Sequence, residues 1–219
     1  MKMVSEIWWL VRKEAVLEWR QRYAIGGIAL YAVSTVFVVY MSFIRIQPNV
    51  WNAMFWIISL FGSMNALVKS FVQENSTRQL YYYTLANPLA VILSKIIYNI
   101  GLLFLINCLT FIMLSLFAGD PVKDDWQFLG VLALGSFSLG TAFTFISAIA
   151  SKGSNSSTLM AILGFPVIIP ILMTLIKISA NALRLIQDTA VWQDVVILAA
   201  IDTIMITLCI VLFPYLWRE

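Results

Sequence analysis

Apolar runs of about 20 residues recur along this chain, with only short polar segments between them. A run of 18 or more apolar residues reads as a helix crossing a bilayer, since away from water a backbone must satisfy its own hydrogen bonds. The sequence therefore predicts six spans, at about 24–44, 50–71, 89–118, 128–150, 158–179 and 194–217. Six helices of about 20 residues use roughly 120 residues. The rest of the 219 is loop, interface helix and overhang, which leaves no room for a soluble catalytic domain. With 61% of residues hydrophobic and 11% charged, the expected fold is an all-α integral membrane protein. A single transmembrane domain, 1–219, is expected, with no convincing internal repeat.

Three polar segments carry more than loop chemistry. Residues 5–22, SEIWWLVRKEAVLEWRQR, place apolar residues on one helical face amid Arg12, Lys13, Glu14, Glu18, Arg20 and Arg22. This predicts an amphipathic helix lying in the membrane interface. Residues 1–23 are charged throughout and lack the short apolar core of a signal peptide, so no cleavable signal is expected. Residues 180–193 resemble a second interfacial piece, with Leu183, Ile186 and Val191 set against Arg184, Gln187 and Asp188. Between the second and third spans lies a connector, 73–88, predicted to hold a short cytoplasmic coupling helix. Glu74 opens its polar run, Ser76 or Thr77 can cap, and Arg78–Leu85 follows. Leu80, Tyr83 and Thr84 share a face, Tyr81 lies on another, and Asn87–Pro88 is expected to stop the helix. A turn or two of helix lying across the membrane face suits docking into a groove on a soluble partner.

Orientation follows from the basic residues. Lys2, Arg12, Lys13, Arg20, Arg22, Lys69, Arg78, Lys95, Lys152 and Arg218 fall on one side, and Arg45, Lys123, Lys177 and Arg184 on the other. Ten against four places both termini, the connector and the SKGSNSS loop in the cytoplasm. The net charge of +3 is thus spent on topology and carries no indication of nucleic acid.

The chain contains no histidine, which removes the commonest metal ligand and neutral-pH proton carrier. It holds no nucleotide loop, no CxxC and no HExxH, so neither an enzyme nor a metal or cofactor site is expected. Cys108 and Cys209 fall inside apolar runs and read as reduced packing residues. Asp202 stands well inside the sixth span, where an ionisable group is a functional candidate by default; a carboxylate satisfied by a neighbouring helix is the plainer alternative. Pro166 and Pro170 would kink the fifth span and mark a candidate pathway. Gly135 and Gly140, amid Ser136, Ser138 and Thr141, make a small-residue face for close helix packing.

Three stretches in this order, LYYYTLANPLAVILSKI from Leu80, LALGSFSLGTAFTFISAIA from Leu132 and ILGFPVIIPILM from Ile162, resemble haem exporter protein B, the CcmB family. The resemblance covers nearly the whole chain. It implies an exporter permease of ABC-2 type in a bacterial inner membrane, acting in cytochrome c maturation. No ATPase of its own is implied, and no cofactor bound directly; ATP would sit in a separate CcmA-like subunit. A CcmC-like haem-handling subunit, a haem chaperone and a homodimeric or multi-subunit assembly are implied as partners besides the bilayer, with haem as a candidate cargo. The absence of histidine favours leaving haem ligation to those partners. One departure concerns docking. Permeases of this broad type often carry Gly, then Thr or Ser, Leu and Glu in the connector, whereas Ser76–Thr77–Arg78–Gln79–Leu80 lacks that Gly and Glu. The alternatives are a permease for a drug, glycan or lipid, a non-transporting assembly scaffold, and a gradient-driven carrier using Asp202.

Overall fold

The computed structural model of the chain describes residues 2–20, 22–43, 45–72, 87–151, 156–186 and 191–218, and among these it is helical with no strand. Among the described residues seven helices follow in order: α1 (Lys2–Arg20), α2 (Arg22–Ser42), α3 (Pro48–Val72), α4 (Pro88–Ala118), α5 (Asp125–Ala150), α6 (Ser156–Ala182) and α7 (Val191–Arg218).

Local chemistry sets their ends. Pro48 opens α3, and the Gln47 carbonyl accepts the Trp51 N–H at 2.8 Å. The Asp124 carboxylate caps α5 by accepting the Gln127 N–H at 3.0 Å, with Asp125 adding charge in the first turn. This polar cap starts α5 three residues before the apolar run from 128. Gly119, at φ 84°, ends α4.

Five helical stretches are long and apolar enough to cross a membrane: Pro48–Leu67, Pro88–Ala118, Asp125–Ala150, Thr158–Ala182 and Val191–Tyr215. The apolar part of α2 among the described residues, Gly26–Ser42, is shorter. Helix α4 is the longest, and its 31 residues reach about 46 Å, well beyond a hydrocarbon core of ~30 Å.

Helix α5 forms the centre, packed by α3, α4, α6 and α7. Near its start Phe128 joins Trp51, Phe55 and Phe111 in an aromatic cluster with ring centroids 5.0–6.1 Å apart. At the other end of α4, Val91, Ile92 and Ile96 meet Ala148, Cys209 and Phe213 in a second cluster. Helix α2 runs beside α4, from Ile28 near Ile106 to Phe37 and Tyr40 against Phe117.

The stretch after α6 departs from the interfacial piece expected over 180–193. The helix continues to Ala182 and closes in a Schellman motif, where Leu185 N–H bonds the Ala180 carbonyl at 3.0 Å and Arg184 N–H bonds that of Asn181 at 2.8 Å. Arg184 takes the left-handed conformation, φ 53°, that glycine usually supplies. The Ala182 carbonyl accepts the Lys123 and Asp124 N–H groups, so the end of α6 is spent holding the α4–α5 turn. Residues 187–190, with Gln187 and Asp188, lie outside the described residues.

Candidate functional site at the start of α4

The connector residues Glu74, Arg78, Leu80, Tyr81, Tyr83, Thr84 and Leu85 lie outside the described residues. Pro88 lies within them, and its observed role is to begin a helix. Asn87 is the N-cap of α4, with φ −71° and ψ 126°; its side-chain oxygen accepts the Leu89 N–H at 3.0 Å, and its carbonyl accepts that of Val91 at 3.1 Å. Pro88 then stands at the first helical position, where its missing N–H costs nothing. The pair expected to stop the connector helix, which lies outside the described residues, serves here as the start signal of α4.

That start is fastened to α1. The Asn87 N–H donates to Glu6 Oε1 at 2.9 Å, and Lys95 Nζ lies 3.6 Å from Glu14 Oε1. Both links join residues 81 positions apart, so α1 and α4 run parallel and in step along two turns. Lys95 is 1% exposed, and an ammonium so placed needs a counter-charge. Glu14 supplies one, with Lys13 at 3.0 Å on the same oxygen. Leu10 completes the contact by packing on the Val91–Ile96–Phe213 cluster. The amphipathic helix expected to lie in the interface plane instead runs alongside the start of α4 and rests its inner face on it, because Glu6, Leu10 and Glu14 find their partners along that helix. Sequence reasoning missed Glu6 as an anchor and counted Lys95 only toward orientation, although a lysine seven residues into an apolar helix was the available signal.

Deeper in the bundle, polar pairs stitch the helices together. Ser138 Oγ donates to Asp202 Oδ2 at 2.7 Å, joining α5 to α7, while Asp202 Oδ1 is buried without a partner. Asn99 and Asn107 of α4 donate to Thr144 and Ser136 of α5 at 2.8 and 2.9 Å. Ser179 of α6 accepts from Trp56 at 2.9 Å and sits 2.8 Å from Asn52 Oδ1. Gly135 and Gly140 lie on this same α5. A Cβ at Gly135 would meet the Trp56 ring at 2.5 Å, and one at Gly140 would lie 3.2 Å from the Ile100 Cα. Asp202 and the two glycines thus mark three sides of α5: Ser138 meets Asp202 of α7, Gly135 faces Trp56 of α3, and Gly140 faces Ile100 of α4. Pro166 and Pro170 stand apart from these contacts: both are exposed on the outer face of an α6 that runs unbroken from Ser156 to Ala182. They line no interior path among the described residues. Groups of three or more His, Cys, Asp or Glu able to hold a metal are absent among the described residues.

The family model described as CcmB protein matches residues 5–215. The chain belongs to the CcmB family. Among curated proteins, none matches this sequence. CcmB family members are transmembrane permeases of an ABC transporter in cytochrome c biogenesis, and the long apolar helices fit a membrane protein. The family is one of permease subunits rather than catalytic enzymes, and its role is haem export within a complex of further subunits. The match spans both the α1–α4 contact and the α5 contacts, so both belong to the CcmB unit.

Proposed function

We propose that this chain is the permease of a haem-export complex in a bacterial inner membrane, driven by ATP hydrolysis in a separate subunit that docks on residues 73–88. The family match supports the class. The observation that carries the mechanism is the fastening of α4 at Asn87, the first described residue after the connector. A push on the connector reaches a capped helix with no slack, and Glu6 and Glu14 pass it to α1. Continuous helix then carries it to Ala118, about 46 Å away. In this reading Leu80, Tyr83 and Thr84 face the ATPase, and Glu74, Arg78, Tyr81 and Leu85 flank them. The permease ligates no haem itself; a haem-handling membrane subunit and a haem chaperone do so, and ATP drives cargo export or chaperone release. Six crossings, counting α2, put both termini in the cytoplasm.

The test is co-purification from detergent-solubilised membranes, with wild type beside a Leu80→Asp, Tyr83→Asp double variant. A soluble ATPase retained by wild type and lost by the variant is the expected result. Failure of any ATPase to copurify with wild type would remove the motor and leave the scaffold reading.

A further inference from the structure

A second feature lies beside the Lys95–Glu14 salt bridge, along the same two helices. Where α1 gives way to α2, a groove of about 450 Å³ opens between α1, α2 and α4. Its walls include Val11, Ala15 and Trp19 of α1, Ile28 of α2, and Gly101 and Leu105 of α4. Trp19 and Leu105 are 74% and 67% exposed while lining it, so the groove faces outward rather than into the bundle. We propose that this groove holds one acyl chain of an anionic phospholipid, whose headgroup rests on Arg12 and Arg20 of α1.

Three observations select that occupant. Along α4 the groove runs from Ile97 to Leu109. Twelve residues of helix span about 18 Å, close to the ~15 Å depth of one hydrocarbon leaflet. Its mouth is continuous with the outward side chains of α4, where Ile97, Ile112 and Leu116 are exposed, the surface that hydrocarbon covers on a membrane helix. The charge on α1 is divided: Glu6 and Glu14 are engaged with Asn87 and Lys95, Glu18 and Glu14 lie within electrostatic reach of Tyr98 on the groove wall, and Arg12 and Arg20 are exposed. Trp19, exposed beside the groove, is of the residue type enriched where a membrane helix meets the headgroups. An acyl chain below and a phosphate above match this order of surfaces. Haem fits it worse, because the lining offers no His, Cys or Met to the iron, only the phenol of Tyr98.

Gly101 supplies the test, since it lines the groove and a Cβ there meets nothing within 4 Å. The full chain, delipidated in detergent, is offered phosphatidylglycerol or phosphatidylcholine of identical acyl chains, and bound lipid is counted by native mass spectrometry. Wild type is expected to retain phosphatidylglycerol with a preference of roughly 10- to 30-fold, the scale two interfacial arginines supply. Gly101→Leu is expected to lose that lipid roughly ten-fold with no fall in thermal unfolding temperature. An Arg12→Gln, Arg20→Gln double variant is expected to bind the two lipids alike. Equal retention by Gly101→Leu and wild type would overturn the proposal, as would equal affinity of wild type for both lipids. A haem Soret band held by wild type and lost in Gly101→Leu would give the groove to cargo instead. The proposal rests on the membrane reading alone; ATPase co-purification is scored separately, so its failure and that of the permease reading are distinguishable.

Discussion

Gly140 and Gly135 face their neighbours differently, and the difference predicts what alanine does at each. At Gly140 the added Cβ would lie 2.9 Å from Ile100 Cγ1 and 3.2–3.3 Å from the Ile100 backbone, so α4 itself must move. At Gly135 it would strike the Trp56 ring, which is fully buried and tied to Ser179 by a 2.9 Å hydrogen bond. Both substitutions are expected to destabilise by about 1–3 kcal/mol, read as a lower thermal midpoint in detergent. Gly130→Ala, where nothing lies within 4 Å, is the control and should gain by up to about 1 kcal/mol from helix propensity. Asp202 presents a different question, whether its charge or its shape matters. Its Oδ2 accepts from Ser138, and the side-chain carbonyl of asparagine can accept the same bond. Asp202→Asn should therefore leave maturation of c-type cytochromes in a complementation assay near the wild-type level. Abolished maturation with normal protein abundance would revive the gradient-driven carrier.

Helix α1 is held along α4 at two places, and a double-mutant cycle can weigh one of them. Glu14→Gln takes the carboxylate from the buried Lys95 ammonium. The expected cost is about 2 kcal/mol, below the ~3–5 kcal/mol of a fully buried pair because Glu14 remains 18% exposed. Lys95→Met in the Glu14→Gln background should recover most of the loss, and a fully additive cycle would mean the pair does not interact. This helix also shows where sequence reading stopped. Hydropathy exposed the long spans because burial in lipid demands unbroken apolar length, and α4 and α5 were legible for that reason. Amphipathicity announced that α1 has a face to cover. It could not say what covers it, because the partners of Glu6 and Glu14 lie 81 residues further on. Asn52, Asn99 and Asn107 carry no local sequence signal of their roles; helix packing gives each a partner on another helix. The end of α6 was misread for a local reason: Arg184 occupies the position where glycine normally signals a stop, so the pattern ran on as if helical.

Across the whole molecule, α2 decides the topology. With five crossings the termini would lie on opposite sides of the membrane; with six they share one. Length alone leaves α2 short, since its described apolar part is Gly26–Ser42. Packing shows where its far end lies. Phe37 meets Phe117 at 6.2 Å and Tyr40 meets it at 5.8 Å, beside the C-terminal end of α4. Tyr31 comes within 3.8 Å of where a Cβ on Gly62 would sit, midway along α3. The α2–α3 turn thus lies at the same end of the bundle as Gly119–Asp124, while α1 stays beside Asn87 and Lys95 at the other. The basic residues agree, with most of them grouped at the α1 end. Single cysteines, placed in a chain lacking Cys108 and Cys209, turn this into a measurement. Arg45→Cys and Lys123→Cys are both exposed positions and should react with a membrane-impermeant maleimide added to spheroplasts. Ser5→Cys should react only after the membrane is permeabilised. Labelling of Ser5→Cys in intact spheroplasts together with Lys123→Cys would mean that α2 does not cross. Because Asn87 lies at the end of α4 opposite Lys123, that result would also part α1 from the start of α4, so the coupling path through Glu6, Asn87 and Lys95 would fall with it.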